Sequence, residues 1–163
     1  KLLNAAFAID AEGTILPLQL VGQEEKREVE ALAHIDLFHR LFYGIDDSNY
    51  RDHLDKALWL GDASVDAIYR QKKSDGVYNR LLQFSLRQEV AQVDIELDLD
   101  KEPYRFRART VFEVHRGAVT DRYQLVTSGE LIVVDRNFPH NPHGLLITDF
   151  FEDSLRQLEP ENN

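Results

Sequence analysis

The residues best suited to chemistry in this chain are its six histidines, His34, His39, His53, His115, His140 and His143. His140 and His143 stand three apart in one short segment and form the strongest metal-ligating pair. They would need a further ligand, for which Asp149 is the nearest candidate. A structural zinc site shows four ligands at tighter spacing. The plainer reading of 137–144 is a rigid turn, in which Pro139 and Pro142 fix φ and Gly144 releases the chain into a strand. His34 and His39 are five apart, which does not place them on one helix face for chelation. Asp36 and His39 are the nearest approach to an acid–base pair, and they read as polar flanks of a helix. Proton transfer at neutral pH needs an acid or base whose pKa is shifted by apolar surroundings, and no carboxylate occupies such a position in the pattern. There is no HExxH, no GxxxxGK[ST], no GxGxxG and no GxSxG. No catalytic, cofactor-binding or metal-ligating residue is therefore assigned, and a non-enzymatic protein is expected.

Composition narrows the classes further. The chain has 163 residues, a length that suits one domain around one core. Asp and Glu number 29 against 19 Lys and Arg, a formal net charge of −10. That balance argues against nucleic acid as a direct partner, since phosphate binding needs clustered cations. The absence of cysteine excludes disulfides, zinc–thiolate sites and thiol catalysis. No apolar run approaches the length of a membrane span. The chain begins at Lys1 and contains no methionine. It is read as a fragment, with a targeting or membrane segment expected upstream.

The elements that must position these residues follow from periodicity. Residues 2–21 read as extended, with 5–10 and 15–20 as a hairpin or one irregular strand around a turn at Glu12-Gly13. Residues 24–43 read as the longest helix. Val29, Ala33, Leu37 and Leu41 form one stripe, and Leu32, Ile35, Phe38 and Phe42 an adjacent one. Gly44 ends it. Asp47 or Ser48 is expected to cap a second helix reaching about residue 60, with Leu54, Ala57 and Leu58 inward. Asp62 or Ser64 caps a third, with Val65, Ile68 and Tyr69 as its stripe. The run Arg70-Gln71-Lys72-Lys73 could touch lipid headgroups or a partner, but a solvated helix end is the simpler reading. After a break at Asp75-Gly76, residues 77–84 read as further helical turns with Tyr78, Leu81 and Leu82 packed. Trp59, Tyr69 and Tyr78 suit an interface or a core equally.

The period then changes from 3.6 to 2. Val93, Ile95, Leu97 and Leu99 alternate with acids, and Tyr104, Phe106, Ala108, Thr110 and Phe112 alternate largely with arginines. Pairing Leu99 with Tyr104 sets Leu97 opposite Phe106 and Ile95 opposite Ala108. The same register sets Asp98 opposite Arg105, Glu96 opposite Arg107 and Asp94 opposite Arg109. One face becomes core and the other an acid–base ladder, each pair contributing roughly 0.2–1 kcal/mol. A long strand is expected over 119–135, with Gly129 marking a bulge, then the 136–143 loop and a last strand over 144–151. Residues 153–163 read as a polar tail, and the domain itself as 1–155 with 156–163 outside it. Helices followed by strands predict an α+β fold with an antiparallel sheet.

Four segments in order resemble the TraK family of Bacteroidetes conjugative transposons. Ile35-Asp36-Leu37-Phe38-His39-Arg40-Leu41-Phe42-Tyr43 is similar to its aromatic "FHxLFF" helix. Lys56-Ala57-Leu58-Trp59-Leu60-Gly61-Asp62 resembles "RALxLAD", and Gly76-Val77-Tyr78-Asn79-Arg80-Leu81-Leu82 resembles "GYYxxII". Asn141-Pro142-His143-Gly144-Leu145-Leu146-Ile147 resembles "NNPHGFxIE", with His140 standing where the family has Asn. The resemblance covers about residues 29–155. It implies the periplasmic domain of a single-pass inner-membrane protein, of the VirB-type scaffold class of type IV secretion. It implies a cystatin-like or nuclear-transport-factor-like cone, with helices packed on a curved antiparallel sheet. It implies no active site or cofactor, self-association, and contacts with other conjugation subunits that serve DNA transfer. The alternative is a small cone-fold enzyme or ligand binder of the ketosteroid-isomerase-like type, which requires a polar group inside the cone.

Overall fold

The computed structural model describes residues 7–9 and 15–160, with side chains described from residue 25 onward. A short antiparallel hairpin, β1 (Phe7–Ile9) and β2 (Ile15–Pro17), sets Ile9 opposite Ile15. Its expected turn at Glu12-Gly13 lies outside the described residues. The second strand is shorter than expected, because helix α1 (Leu18–Tyr43) begins directly after Pro17. Proline fixes φ near the helical value and is tolerated where a helix starts.

The buried face of α1 is rotated from the one expected. Ile35, Phe38 and Phe42 are buried as read, but Val29 is 66% exposed and Ala33 is exposed. In place of that stripe the fully buried positions include Ala31, His34 and His39. A histidine can be buried when both ring nitrogens find partners, and both rings do here. The helix ends at Gly44. A Cβ there would lie 2.5 Å from the Arg40 carbonyl oxygen, so no larger residue fits this closing turn.

Three short helices follow. Helix α2 (Tyr50–Leu58) buries Leu54 and Ala57. Its approach is organised by Asp46 rather than by Asp47 or Ser48. The Asp46 carboxylate accepts from the Ser48 and Asn49 backbone N–H groups at 2.8 and 3.0 Å. Helix α3 (Ala63–Ser74) is capped as expected by Asp62, which accepts from Ser64 N–H at 2.9 Å. Gly76, at φ 78°, turns the chain into α4 (Val77–Gln83), which buries Tyr78 and Leu81 but leaves Leu82 exposed.

The main sheet is an antiparallel meander of β3 (Arg87–Asp98), β4 (Tyr104–Arg116), β5 (Val119–Val133) and β6 (Leu145–Leu158), in that spatial order. Leu97 pairs with Phe106, Ile95 with Ala108, Asp98 with Arg105, Glu96 with Arg107 and Asp94 with Arg109, all as expected. β3 begins six residues before Val93. A register shift between Val90 and Gln92 breaks the period of two, which hid its first half in the pattern. The bulge at Gly129 is present, between the paired Ser128 and Glu130. A Cβ at Gly129 would lie 2.9 Å from the Phe106 ring.

β6 overturns the reading of the C-terminus. It runs on through Asp153 to Leu158, paired to β5 along its length. The strand thus crosses the expected domain edge at residue 155 and takes in most of the expected polar tail. Two register irregularities in the β5–β6 ladder, with Asp149 at φ 50°, scramble its alternation. The core lies between α1 and the inner face of the sheet, where Phe38, Phe106 and Phe150 meet around His39. Each such aromatic buried contributes roughly 1.5–3 kcal/mol.

Candidate functional site

Beyond the last turn of α1 the sheet outruns the helices and leaves a groove of about 540 Å³. Its walls include Phe42, Phe112, Val114, Tyr123, Leu125 and Leu155. Four elements bring polar groups to it. Tyr43 ends α1, Lys72 lies in the last turn of α3, Tyr78 is the second residue of α4, and Glu152 sits on the inner phase of β6. The Tyr43 hydroxyl donates to Glu152 Oε2 at 2.8 Å, and Lys72 Nζ lies 3.0 Å from the same oxygen. The ammonium also sits 5.7 Å from the Tyr43 ring centroid. Gln88 donates its side-chain N–H to the Tyr43 carbonyl at 2.8 Å, tying β3 to the same corner.

The electrostatics favour binding over proton transfer. Burial, then the neighbouring Glu152 charge, pushes the Tyr43 hydroxyl well above its ordinary range. Burial pushes Tyr78 upward too, with Tyr69 and Glu152 adding to it. Both phenols therefore stay neutral. Glu152 already accepts from a phenol and pairs with an ammonium, so that oxygen is engaged within the corner. The Tyr78 hydroxyl is buried without a hydrogen-bond partner among the described residues. An apolar concavity with a few fixed polar groups has the makeup of a ligand or partner site.

The sequence reading misses Glu152, the acid inside the cone, because the expected last strand stops at Phe151, one residue short of it, whereas β6 runs to Leu158. It placed Tyr43 on the right helix but gave it no role. The basic run splits: Lys72 turns inward to Glu152, while Arg70 pairs with Asp66 at 2.6 Å on the surface. Tyr78 is core, packed against Tyr69 at 5.6 Å between centroids. On the outer face the ladder's ion pair is diagonal. Arg109 Nη2 lies 3.2 Å from Glu96 Oε1, not against Asp94 opposite it.

The two histidines of the 136–143 loop do not converge on one centre. His140 stacks on Trp59, with centroids 4.2 Å apart, at an exposed corner. His143 turns inward instead, its Nδ1 3.2 Å from His34 Nδ1. His39 Nδ1 donates to the Ile35 carbonyl at 2.6 Å, and its Nε2 accepts from the Thr127 hydroxyl at 2.7 Å. Both lone positions of that ring are thereby used in the core. Among the described residues no three His, Asp or Glu side chains are grouped to hold a metal. Nor is any described helix long and apolar enough to cross a membrane.

No protein-family model matches the chain, and no curated protein matches it. Solved structures do share its fold. The soluble domain of TrwG type IV secretion machinery from Bartonella grahamii is 15% identical, with a TM-score of 0.63 over 82% of this chain and 97% of that one. The VirB8 protein of Agrobacterium tumefaciens is 16% identical, with a TM-score of 0.60 over 84% and 96%. CagV of Helicobacter pylori, a VirB8 homolog, is 17% identical, with a TM-score of 0.51 over 78% and 99%. The fold is thus an α+β, nuclear-transport-factor-like cone, with helices packed on a curved antiparallel sheet.

Proposed function

We propose that this chain is a non-enzymatic assembly domain of a conjugative type IV secretion apparatus, the periplasmic part of a TraK-like subunit. One observation carries the reading. The chain shares its fold across nearly the full length of proteins described as type IV secretion components, and four ordered sequence motifs point to the same machinery. In this reading one membrane-spanning helix precedes the domain and anchors it at the inner membrane. The domain self-associates and contacts other channel subunits, and it touches no nucleic acid directly. The net charge of −10 suits protein partners better than nucleic acid. The polar groups of the groove are already paired or neutral, which supports a site that binds rather than catalyses. The test is affinity purification of the membrane-anchored full-length protein from cells that carry the transfer machinery. Co-purification of other channel subunits is expected, and recovery of the protein alone contradicts the reading.

A second reading is favoured by the groove itself. A cavity of about 540 Å³ with Glu152 and Tyr43 on its wall meets the requirement of a polar group inside the cone. That reading makes the chain a small-molecule binder. Shape alone does not make it an enzyme, because the fold hosts many functions.

A further inference from the structure

We propose that the 136–144 loop is a pH-sensitive latch, closed on α1 by a pair of neutral histidines, His34 buried and His143 half-buried, and opened when His34 takes a proton. The geometry assigns the protons. The Leu60 carbonyl can only accept, so His34 Nε2, 3.1 Å away, carries the hydrogen. A neutral His34 then presents Nδ1 as a lone pair, and that lone pair faces His143 Nδ1 at 3.2 Å. The hydrogen between the two rings therefore belongs to His143. The rings meet edge to face, with centroids 5.3 Å apart, and His34 is fully buried.

Two protonations have opposite consequences. A first proton on His143 enters at Nε2 and leaves both hydrogen bonds intact. Burial opposes that charge most strongly, Glu30 on α1 favours it, and Arg136 in the loop opposes it. These two are themselves ion-paired, Arg136 Nη2 to Glu30 Oε1 at 2.5 Å. A proton on His34 must enter at Nδ1, where it meets the N–H of His143 head on. The hydrogen bond is lost, and a charge is left in a pocket whose other polar wall, the Leu60 carbonyl from the end of α2, also accepts from Ile147 N–H at 2.9 Å. Burial, and then the His143 charge, hold the His34 pKa down to about 4.

The loop is built to move as one body. Asn137 and Asn141 exchange backbone hydrogen bonds across it. The Asn141 side chain donates to the Leu145 carbonyl at 2.7 Å, and Gly144 at φ 66° marks its hinge into β6. It also carries exposed Phe138 and the His140 that stacks on Trp59. Opening would rearrange this aromatic corner while the sheet stays folded.

Released into water, His34 returns to a pKa near 6.5. Against about 4 when closed, opening gains roughly 30-fold between pH 7.5 and pH 5. The experiment is amide hydrogen exchange read by mass spectrometry at those two pH values, corrected for intrinsic rates. Peptides spanning 136–144 are compared with peptides from β4. The expected result is a rise of that size in loop opening with β4 still protected. The variant His34→Gln supplies a donor for Leu60 and an acceptor for His143 but does not titrate. It should fold and show a far weaker pH dependence of loop exchange, the remainder coming from His143, whose pKa burial also lowers. Loop opening in the wild type that ignores pH, that rises only in step with β4, or that keeps its full pH dependence in His34→Gln overturns the proposal.

Discussion

The Tyr43 hydroxyl donates to Glu152 at 2.8 Å, joining the last residue of the long helix to a strand 109 residues later. Lys72 completes the corner from α3. Replacing Glu152 by Ala leaves a buried phenol and a half-buried ammonium without their acceptor. That change should cost about 1–3 kcal/mol, read as a lowered urea midpoint with an unchanged slope. Tyr43→Phe removes one donor and leaves the ion pair, so its cost should be the smaller of the two. Equal costs would mean that the corner does not act as described.

Gly129 and Phe106 make a second pair that can be tested. A Cβ at Gly129 meets the Phe106 ring at 2.9 Å and the Thr148 carbonyl oxygen at 3.2 Å. Gly129→Ala should destabilise by about 1–3 kcal/mol through overpacking. Adding Phe106→Leu should recover part of that loss, and a thermal unfolding series of the single and double variants measures it. Strictly additive losses would contradict the contact.

The buried histidines make stability fall in acid. The pKa of His34 and of His39 is held down to about 4, chiefly by burial, against 6.5 when unfolded. Between those values the unfolded chain binds more protons. The contribution is complete above pH 6.5 and is lost as pH falls toward 4. It amounts to about 2–3 kcal/mol per histidine at pH 4.5 relative to pH 7.5. Urea titrations at the two pH values check the sign, and His39→Gln should remove one share of the difference.

Asp62 positions α3, and with it Lys72. Its carboxylate accepts from both the N–H and the hydroxyl of Ser64. Asp62→Ala should cost about 1 kcal/mol, measured as a lower urea midpoint.

How far the sequence could be read follows from where its periods stay regular. The β3–β4 hairpin was legible because Ile95 and Leu97 alternate strictly with acids, and Phe106 and Ala108 with arginines. Where a bulge interrupts that alternation, near Ala91 and again around Asp153, the strand is not legible. The groove was lost with it, since Glu152 stood one residue beyond the supposed end of β6. His39 reads as a polar flank, and His34 receives no place in the core, because burial of an imidazole depends on partners far away in sequence. His143, Thr127 and the Leu60 carbonyl supply them, and no local pattern encodes those distances.

The most direct test of the assembly reading is the frequency of conjugative DNA transfer from a donor lacking this gene, with and without the membrane-anchored full-length protein restored. The account predicts that transfer is lost in the deletion and returns with the restored protein. Transfer that continues unchanged in the deletion contradicts it.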